Sequence, residues 1–94
     1  MNYFVYIITN GYNNTFYVGI TNSLIRRLQE HREGTNDGFT KKYKINKLVY
    51  YEIFSQPDEA INREKQLKNW HRDWKINLIK ELNPGFEDLT KDWE

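Results

Sequence analysis

Residues 3–20 read Tyr3-Phe-Val-Tyr-Ile-Ile-Thr-Asn-Gly-Tyr-Asn-Asn-Thr-Phe-Tyr-Val-Gly-Ile20, and they decide the fold. Two β-branched and aromatic runs, Tyr3 to Ile8 and Thr15 to Ile20, have strand composition. The segment Asn10-Gly-Tyr-Asn-Asn14 between them is turn chemistry. A connection this short pairs its strands antiparallel. Residues 1–21 contain no Asp, Glu, Lys or Arg, so the hairpin is expected near the centre of the molecule.

Beyond the hairpin the period changes. Thr21 or Asn22 can cap a helix running to about His31. At about 100° per residue, Leu24, Leu28 and His31 share one face, with Ile25 at its edge. Gly34 suits the stop of that helix, and a polar loop follows. Lys47-Leu-Val-Tyr-Tyr-Glu-Ile-Phe54 reads as a third strand. Ser55-Gln-Pro-Asp58 opens a second helix, with Pro57 in its first turn and Ala60, Ile61 and Leu67 as its apolar stripe. Helix resumes from Trp70 to about Leu82 after a bend near His71, and Asn83-Pro84-Gly85 ends it. The expected fold is α+β, in the order β-β-α-β-α-α. A three-stranded sheet with helices packed on it buries these stripes most simply.

Ninety-four residues allow one domain, placed at residues 1–84, followed by an acidic tail over residues 85–94. Phe86 and Trp93 are the tail's candidate anchors. The aromatic load of seven Tyr, five Phe and three Trp can fill a compact core. With no cysteine there is no disulfide, thiolate metal site or cysteine nucleophile. The apolar run at Tyr3 is too short for a leader or a membrane span, so a cytoplasmic, membrane-free protein is expected. The formal net charge of +1 is uninformative, but its distribution is not. Residues 26–47 hold seven positive and three negative side chains, residues 63–80 six and two, and residues 81–94 one and five. Basic stretches interleaved with aromatics can follow a phosphate backbone, or can simply be solvated helix faces.

Several side chains could carry chemistry. Tyr6 and Tyr17 lie on adjacent strands, where aromatic pairs also serve stability alone. Gly19 interrupts a strand, which is costly unless some group must approach the backbone there. On the first helix, Arg27 flanks the inward face while Arg26 points to solvent. An inward arginine needs an anion, either a structural carboxylate or a bound phosphate. His31 is a proton shuttle or a satisfied half-buried histidine. Glu64 falls on the apolar stripe of the second helix, between Leu67 and Ile61. It is either one half of an ion pair, with Arg27 the inward partner, or a ligand for a hard divalent cation. Magnesium often uses only one or two protein carboxylates. Gly-rich phosphate loops, nucleophile elbows and His-Glu-x-x-His helices are absent from the sequence.

The ordered set Val5-Tyr6-Ile7, Tyr17-Val18-Gly19, Leu24-Ile-Arg-Arg27-Leu28 and Glu30-His31 resembles the signature of the GIY-YIG nucleases. The segment Glu59-Ala-Ile-Asn-Arg-Glu64-Lys-Gln-Leu-Lys-Asn-Trp70 resembles the block that holds that family's metal glutamate. The likeness runs from about residue 3 to residue 84. It is closest to short, stand-alone bacterial members related to the N-terminal domain of excinuclease C. The family fold is a three-stranded antiparallel sheet flanked by helices. The resemblance implies a DNA endonuclease dependent on Mg²⁺ or Mn²⁺, acting in repair or recombination, or a nucleic-acid-binding module of the same fold. It implies Tyr6 and Tyr17 as the paired tyrosines, Arg27 as the phosphate arginine, His31 as a further catalytic position and Glu64 as the metal ligand. Gly19, Lys41 and Lys42 are the expected nucleic-acid contacts, and Asn83 supports the site. The first motif, Phe4-Val5-Tyr6, keeps only its tyrosine, and Val18 replaces the central Ile of the second. Ile20 stands where excinuclease C carries a lysine that helps lower a tyrosine's pKa. His31 or the Lys41-Lys42 loop is the candidate to compensate.

Overall fold

The computed structural model describes residues 1–33 and 42–93. Gly34 and Lys41, assigned above to a helix stop and to nucleic-acid contact, lie outside the described residues. Six elements follow in order: β1 (Tyr3–Thr9), β2 (Phe16–Thr21), α1 (Leu24–Glu33), β3 (Lys47–Phe54), α2 (Pro57–Asn69) and α3 (Arg72–Leu82). This is the expected α+β order. The strands form one antiparallel sheet in the order β2-β1-β3. The uncharged β1 is central, and its residues from Val5 to Thr9 are all buried.

The hairpin turn is built from its asparagines. Asn13 takes a left-handed φ of 56°, which Asn tolerates better than most residues. The Asn10 side chain bonds Asn14 through both side chain and backbone. Thr9, itself buried, donates to the Thr15 carbonyl at 2.7 Å and closes the loop. Pro57 opens α2, where its missing N–H costs nothing. The α2–α3 break falls at Trp70 and His71, whose ψ angles of 149° and 150° lie outside the helical range, close to the expected bend.

The sheet separates two apolar layers, as strand alternation requires. Val5, Ile7, Val18, Val49 and Tyr50 meet Ala60 and Leu67 of α2, Ile79 of α3 and Phe86. On the opposite face Tyr6, Ile8 and Leu48 meet Leu24 and Leu28 of α1 and Ile45. The stripe of α2 is narrower than expected. Ile61 is 43% exposed, because one turn of stripe beside Ala60 already covers the sheet. Among the described residues, no helix is long and apolar enough to cross a membrane.

The acidic tail packs against the domain. Phe86 is buried in the α2/α3 layer and Leu89 touches the α1 layer, so the segment crosses the β3 edge. The Leu89 N–H donates to the Leu48 carbonyl at 2.9 Å. Arg32 of α1 binds Asp88 at 3.2 Å and Thr90 at 2.8 Å. Trp93 then meets Tyr51 edge to face. These contacts cover a sheet edge that would otherwise present unpaired backbone groups.

Candidate active site

Tyr6 sits at the centre of the middle strand, opposite Gly19 on β2 and Tyr51 on β3. Tyr17 is opposite Ile8, two residues along, so both tyrosine rings share the α1 face of the sheet. His31, buried on the inner side of α1, lies against both. Its ring centroid is 5.9 Å from that of Tyr6 and 5.3 Å from that of Tyr17, with both pairs inclined at 65°. The Tyr6 hydroxyl and His31 Nε2 share a hydrogen bond of 2.9 Å. Arg27 Nε donates to the same hydroxyl at 3.3 Å. With Arg27 donating, the hydroxyl hydrogen can be directed at Nε2, which fixes a tautomer with the imidazole proton on Nδ1.

Gly19 explains how this array fits. A Cβ at that position would stand 2.3 Å from the Tyr6 hydroxyl oxygen and 2.4 Å from Cζ. The group that approaches the β2 backbone is therefore the Tyr6 ring itself. Tyr6 is 1% exposed, whereas Tyr17 is half-buried on an edge strand. Solvent can reach Tyr17 far more readily than Tyr6.

Helical phase identifies the right arginine. Arg26 is exposed and, among the described residues, bonds the Asn22 side chain one turn back. Arg27 reaches inward to Tyr6 and pairs with Glu30 at 3.4 Å. Burial works against its charge. Hydrogen bonds and charge interactions with Tyr6, Glu30 and Tyr17 outweigh that and raise its pKa. Glu30 is the partner that sequence phase did not single out, although i,i+3 spacing from Arg27 is a standard pairing distance.

Glu64 pairs with Lys68 at 3.0 Å, not with Arg27. Its side chain is 15% exposed. Ala60 and Leu67 mark the buried line of α2, and at about 100° per residue Arg63 and Glu64 fall on opposite sides of it. Arg63 reaches β3, where it grips Glu52 through two bonds of 2.9 Å. Glu64 therefore lies on the flank toward β2, in the layer across the sheet from the tyrosine cluster. Among the described residues, no hydrogen bond or ion pair joins Glu64 to Tyr6, Tyr17, Arg27 or His31. The structure thus gathers four of the expected residues, while helical phase puts the fifth, Glu64, in the layer on the other side of the sheet. Ile20 packs against the α2-side layer, on the face where Glu64 lies.

Asn83 is a structural clamp. It is buried, its Nδ2 donates to the Val49 and Glu87 carbonyls at 3.1 and 2.9 Å, and its Oδ1 accepts from the Glu87 N–H. Lys42 is exposed, with its ammonium 5.4 Å from the Tyr43 ring centroid. A network sequence reasoning missed joins Tyr50, Glu52 and Arg63. Tyr50 donates to the Glu52 carboxylate that Arg63 grips. Alternation on β3, which puts Tyr50 and Glu52 on one face, was the available signal.

Comparison with known proteins identifies the family. A family model described as the GIY-YIG catalytic domain matches residues 2–77. A UPF0213 protein of Staphylococcus haemolyticus is 34% identical over 79 residues, covering 84% of this chain and 95% of that protein. One from Pediococcus pentosaceus is 32% identical over 89 residues, covering 95% of this chain and 94% of its own length. The solution NMR structure of a UPF0213 protein from Bacillus halodurans superposes with a TM-score of 0.60 at 28% identity, covering 97% of this chain and 96% of that one. With the paired tyrosines, the inward arginine and the sheet order in agreement with a match over most of its length, this chain belongs to the GIY-YIG family, whose domain is that of nucleases.

Proposed function

We propose that this protein is a metal-dependent endonuclease that hydrolyses phosphodiester bonds in DNA. The observation that carries the reading is the bonded array Arg27–Tyr6–His31 against Tyr17 on one face of the sheet. A guanidinium held by a tyrosine hydroxyl and a carboxylate is pre-oriented for the non-bridging oxygens of a phosphate, where charge develops as water attacks phosphorus. The half-buried Tyr17 is the hydroxyl placed to contact that water. Tyr6, enclosed behind it, holds Arg27 and His31 in position. His31 Nε2 can take the Tyr6 proton, which offers this chain a route to a more basic site despite Ile20 in the family's lysine position.

Glu64 is the residue that would hold Mg²⁺ or Mn²⁺. Among the described residues no group of three or more His, Cys, Asp or Glu could hold a metal ion. A hard cation that keeps most of its water needs only one such carboxylate. Glu64 fits, because it is mostly enclosed and its partner Lys68 is half exposed and can swing away. When bound, such an ion stabilises charge on the leaving oxygen. Gly19 would let the nucleic acid pass close to β2 only beyond the space Tyr6 occupies, and Lys42 would meet backbone phosphate.

Cleavage of plasmid and branched DNA, with and without Mg²⁺ or Mn²⁺, tests the reading beside Glu64→Ala and Arg27→Ala. Metal-dependent cutting that both variants lose supports it. Equal activity in wild type and variants contradicts it. Salt-dependent binding with no cutting in any divalent metal would make the protein a nucleic-acid-binding module instead.

A further inference from the structure

The turn of the hairpin and the first turn of α3 border an open hollow of about 270 Å³, lined by Asn14, Thr15, Phe16, Arg72 and Lys75. Two cations face it and no carboxylate lines it. Arg72 holds its guanidinium 5.6 Å from the Phe16 ring centroid, which fixes the direction of a long side chain. Among the described residues, neither Arg72 nor Lys75 has an ion pair, although Arg27, Arg32, Arg63, Lys68 and Lys91 each do. Lys75 is half-buried, and burial alone pushes its pKa down. An ammonium partly withdrawn from water without a counter-ion carries a cost that an incoming anion would relieve.

The position matters as much as the chemistry. Phe16 is the residue before Tyr17 on β2, and strand alternation turns the two side chains to opposite faces of that edge strand. The hollow borders Phe16, which packs in the layer of Ala60 and Leu67, and helical phase turns Glu64 toward β2 in that same layer. A strand of nucleic acid passing over the β2 edge would meet Tyr17 and Arg27 on one side and Arg72 and Lys75 on the other.

We propose that this hollow is a second phosphate subsite, in which Arg72 and Lys75 bind a backbone phosphate of the nucleic acid flanking the bond to be cut. Asn14 and Thr15 supply neutral hydrogen-bonding groups at its rim. The proposal rests on the nuclease reading for its ligand. Its contribution is binding and register, so the two cations are positioning residues, not catalytic ones.

The test is the salt dependence of binding, read by fluorescence anisotropy with a labelled DNA oligonucleotide in EDTA, so that nothing is cut. Each phosphate neutralised contributes about 0.9 to the log–log slope on duplex and about 0.7 on a single strand. Arg72→Gln with Lys75→Gln should lower the slope by roughly 0.7 to 0.9, the share of one phosphate, while Lys80→Gln on the exposed side of α3 should lower it less. In cleavage, the double variant should raise KM with kcat nearly unchanged. An unchanged slope and unchanged KM in the folded double variant overturn the subsite and leave the nuclease reading standing. A wild type that neither binds nor cuts would sink the nuclease reading. The subsite is then judged on the dinucleotide pTpT by amide NMR. Saturable shifts confined to Thr15, Phe16, Arg72 and Lys75 sustain it, and their absence overturns it.

Discussion

Replacing Gly19 by alanine isolates the contact on which the tyrosine array depends. In an ordinary strand, the added methyl would gain about 0.5–1 kcal/mol through reduced chain entropy. Here the new Cβ would meet the Tyr6 hydroxyl oxygen at 2.3 Å, Cζ at 2.4 Å and Cε1 at 2.9 Å. All three lie inside van der Waals contact, and the ring has nowhere to go because Tyr6 is 1% exposed. Either β1 and β2 separate where Tyr6 faces Gly19, or the ring turns and loses its bonds to His31 and Arg27. Overpacking a tight site costs about 1–3 kcal/mol, and each hydrogen bond is worth about 0.5–1.5 kcal/mol. After the entropic gain, a net loss of about 2–3 kcal/mol is expected. For a domain of this size that corresponds to a fall in Tm of roughly 8–24 °C. Thermal and urea unfolding measure it, with Tyr6→Phe as the second arm of a double-mutant cycle. Removing the hydroxyl relieves the shortest contact but leaves Cζ, so Tyr6→Phe should recover only part of the loss. A Gly19→Ala protein as stable as wild type would refute the close-approach argument.

Other changes have equally definite outcomes. Arg26→Ala should leave stability within about 0.5 kcal/mol and activity unchanged, whereas Arg27→Ala should lower kcat by roughly 10²–10³ with the fold intact by circular dichroism. Asn83→Ala deletes three hydrogen bonds of a buried amide and should cost about 2–3 kcal/mol in denaturant unfolding; it should also speed proteolysis beyond residue 85. The Glu52 carboxyl is desolvated, which raises its pKa, but the bonds from Arg63 and Tyr50 prevail and hold it below the usual carboxylate range. A depressed folded pKa contributes stability above the unfolded value of about 4.3, and that stability is lost as pH falls through the folded value. Glu52→Gln should therefore be less stable at neutral pH and show a flatter acid limb in a stability–pH profile.

Much of this is legible in the residues alone, for reasons that differ by element. The hairpin is legible because turn asparagines and an uncharged aromatic run leave few alternatives. Lys47–Phe54 is legible because its β-branched and aromatic run carries a local signal. Arg27 is distinguishable from Arg26 because a 100° step separates inward from outward regardless of context. What escapes are facts made across the sheet. The clash that Gly19 avoids depends on register with Tyr6, and the partner of Arg63 depends on which strand α2 covers. Glu64 looks inward by phase, but phase on one helix cannot say which face of the sheet that helix covers. Ile61 belongs to the core of α2 on hydrophobicity alone, yet Ala60 lets the helix sit close and leaves Ile61 at the rim. The tail's anchors, Phe86 and Trp93, stand out as apolar residues in an acidic stretch, but its partners, Arg32, Leu48 and Tyr51, are distant in sequence and escape.

We propose that one face of this sheet, together with Glu64 on α2, forms a metal-dependent phosphodiesterase. The single-turnover cleavage rate of a branched DNA substrate, titrated with Mg²⁺ for wild type and Glu64→Ala prepared identically, tests it most directly. We expect no cutting in EDTA, a rate that rises and saturates with Mg²⁺ in wild type, and a rate at least about a hundredfold lower in Glu64→Ala. A folded Glu64→Ala protein that cuts at the wild-type rate with the same Mg²⁺ dependence would contradict the claim.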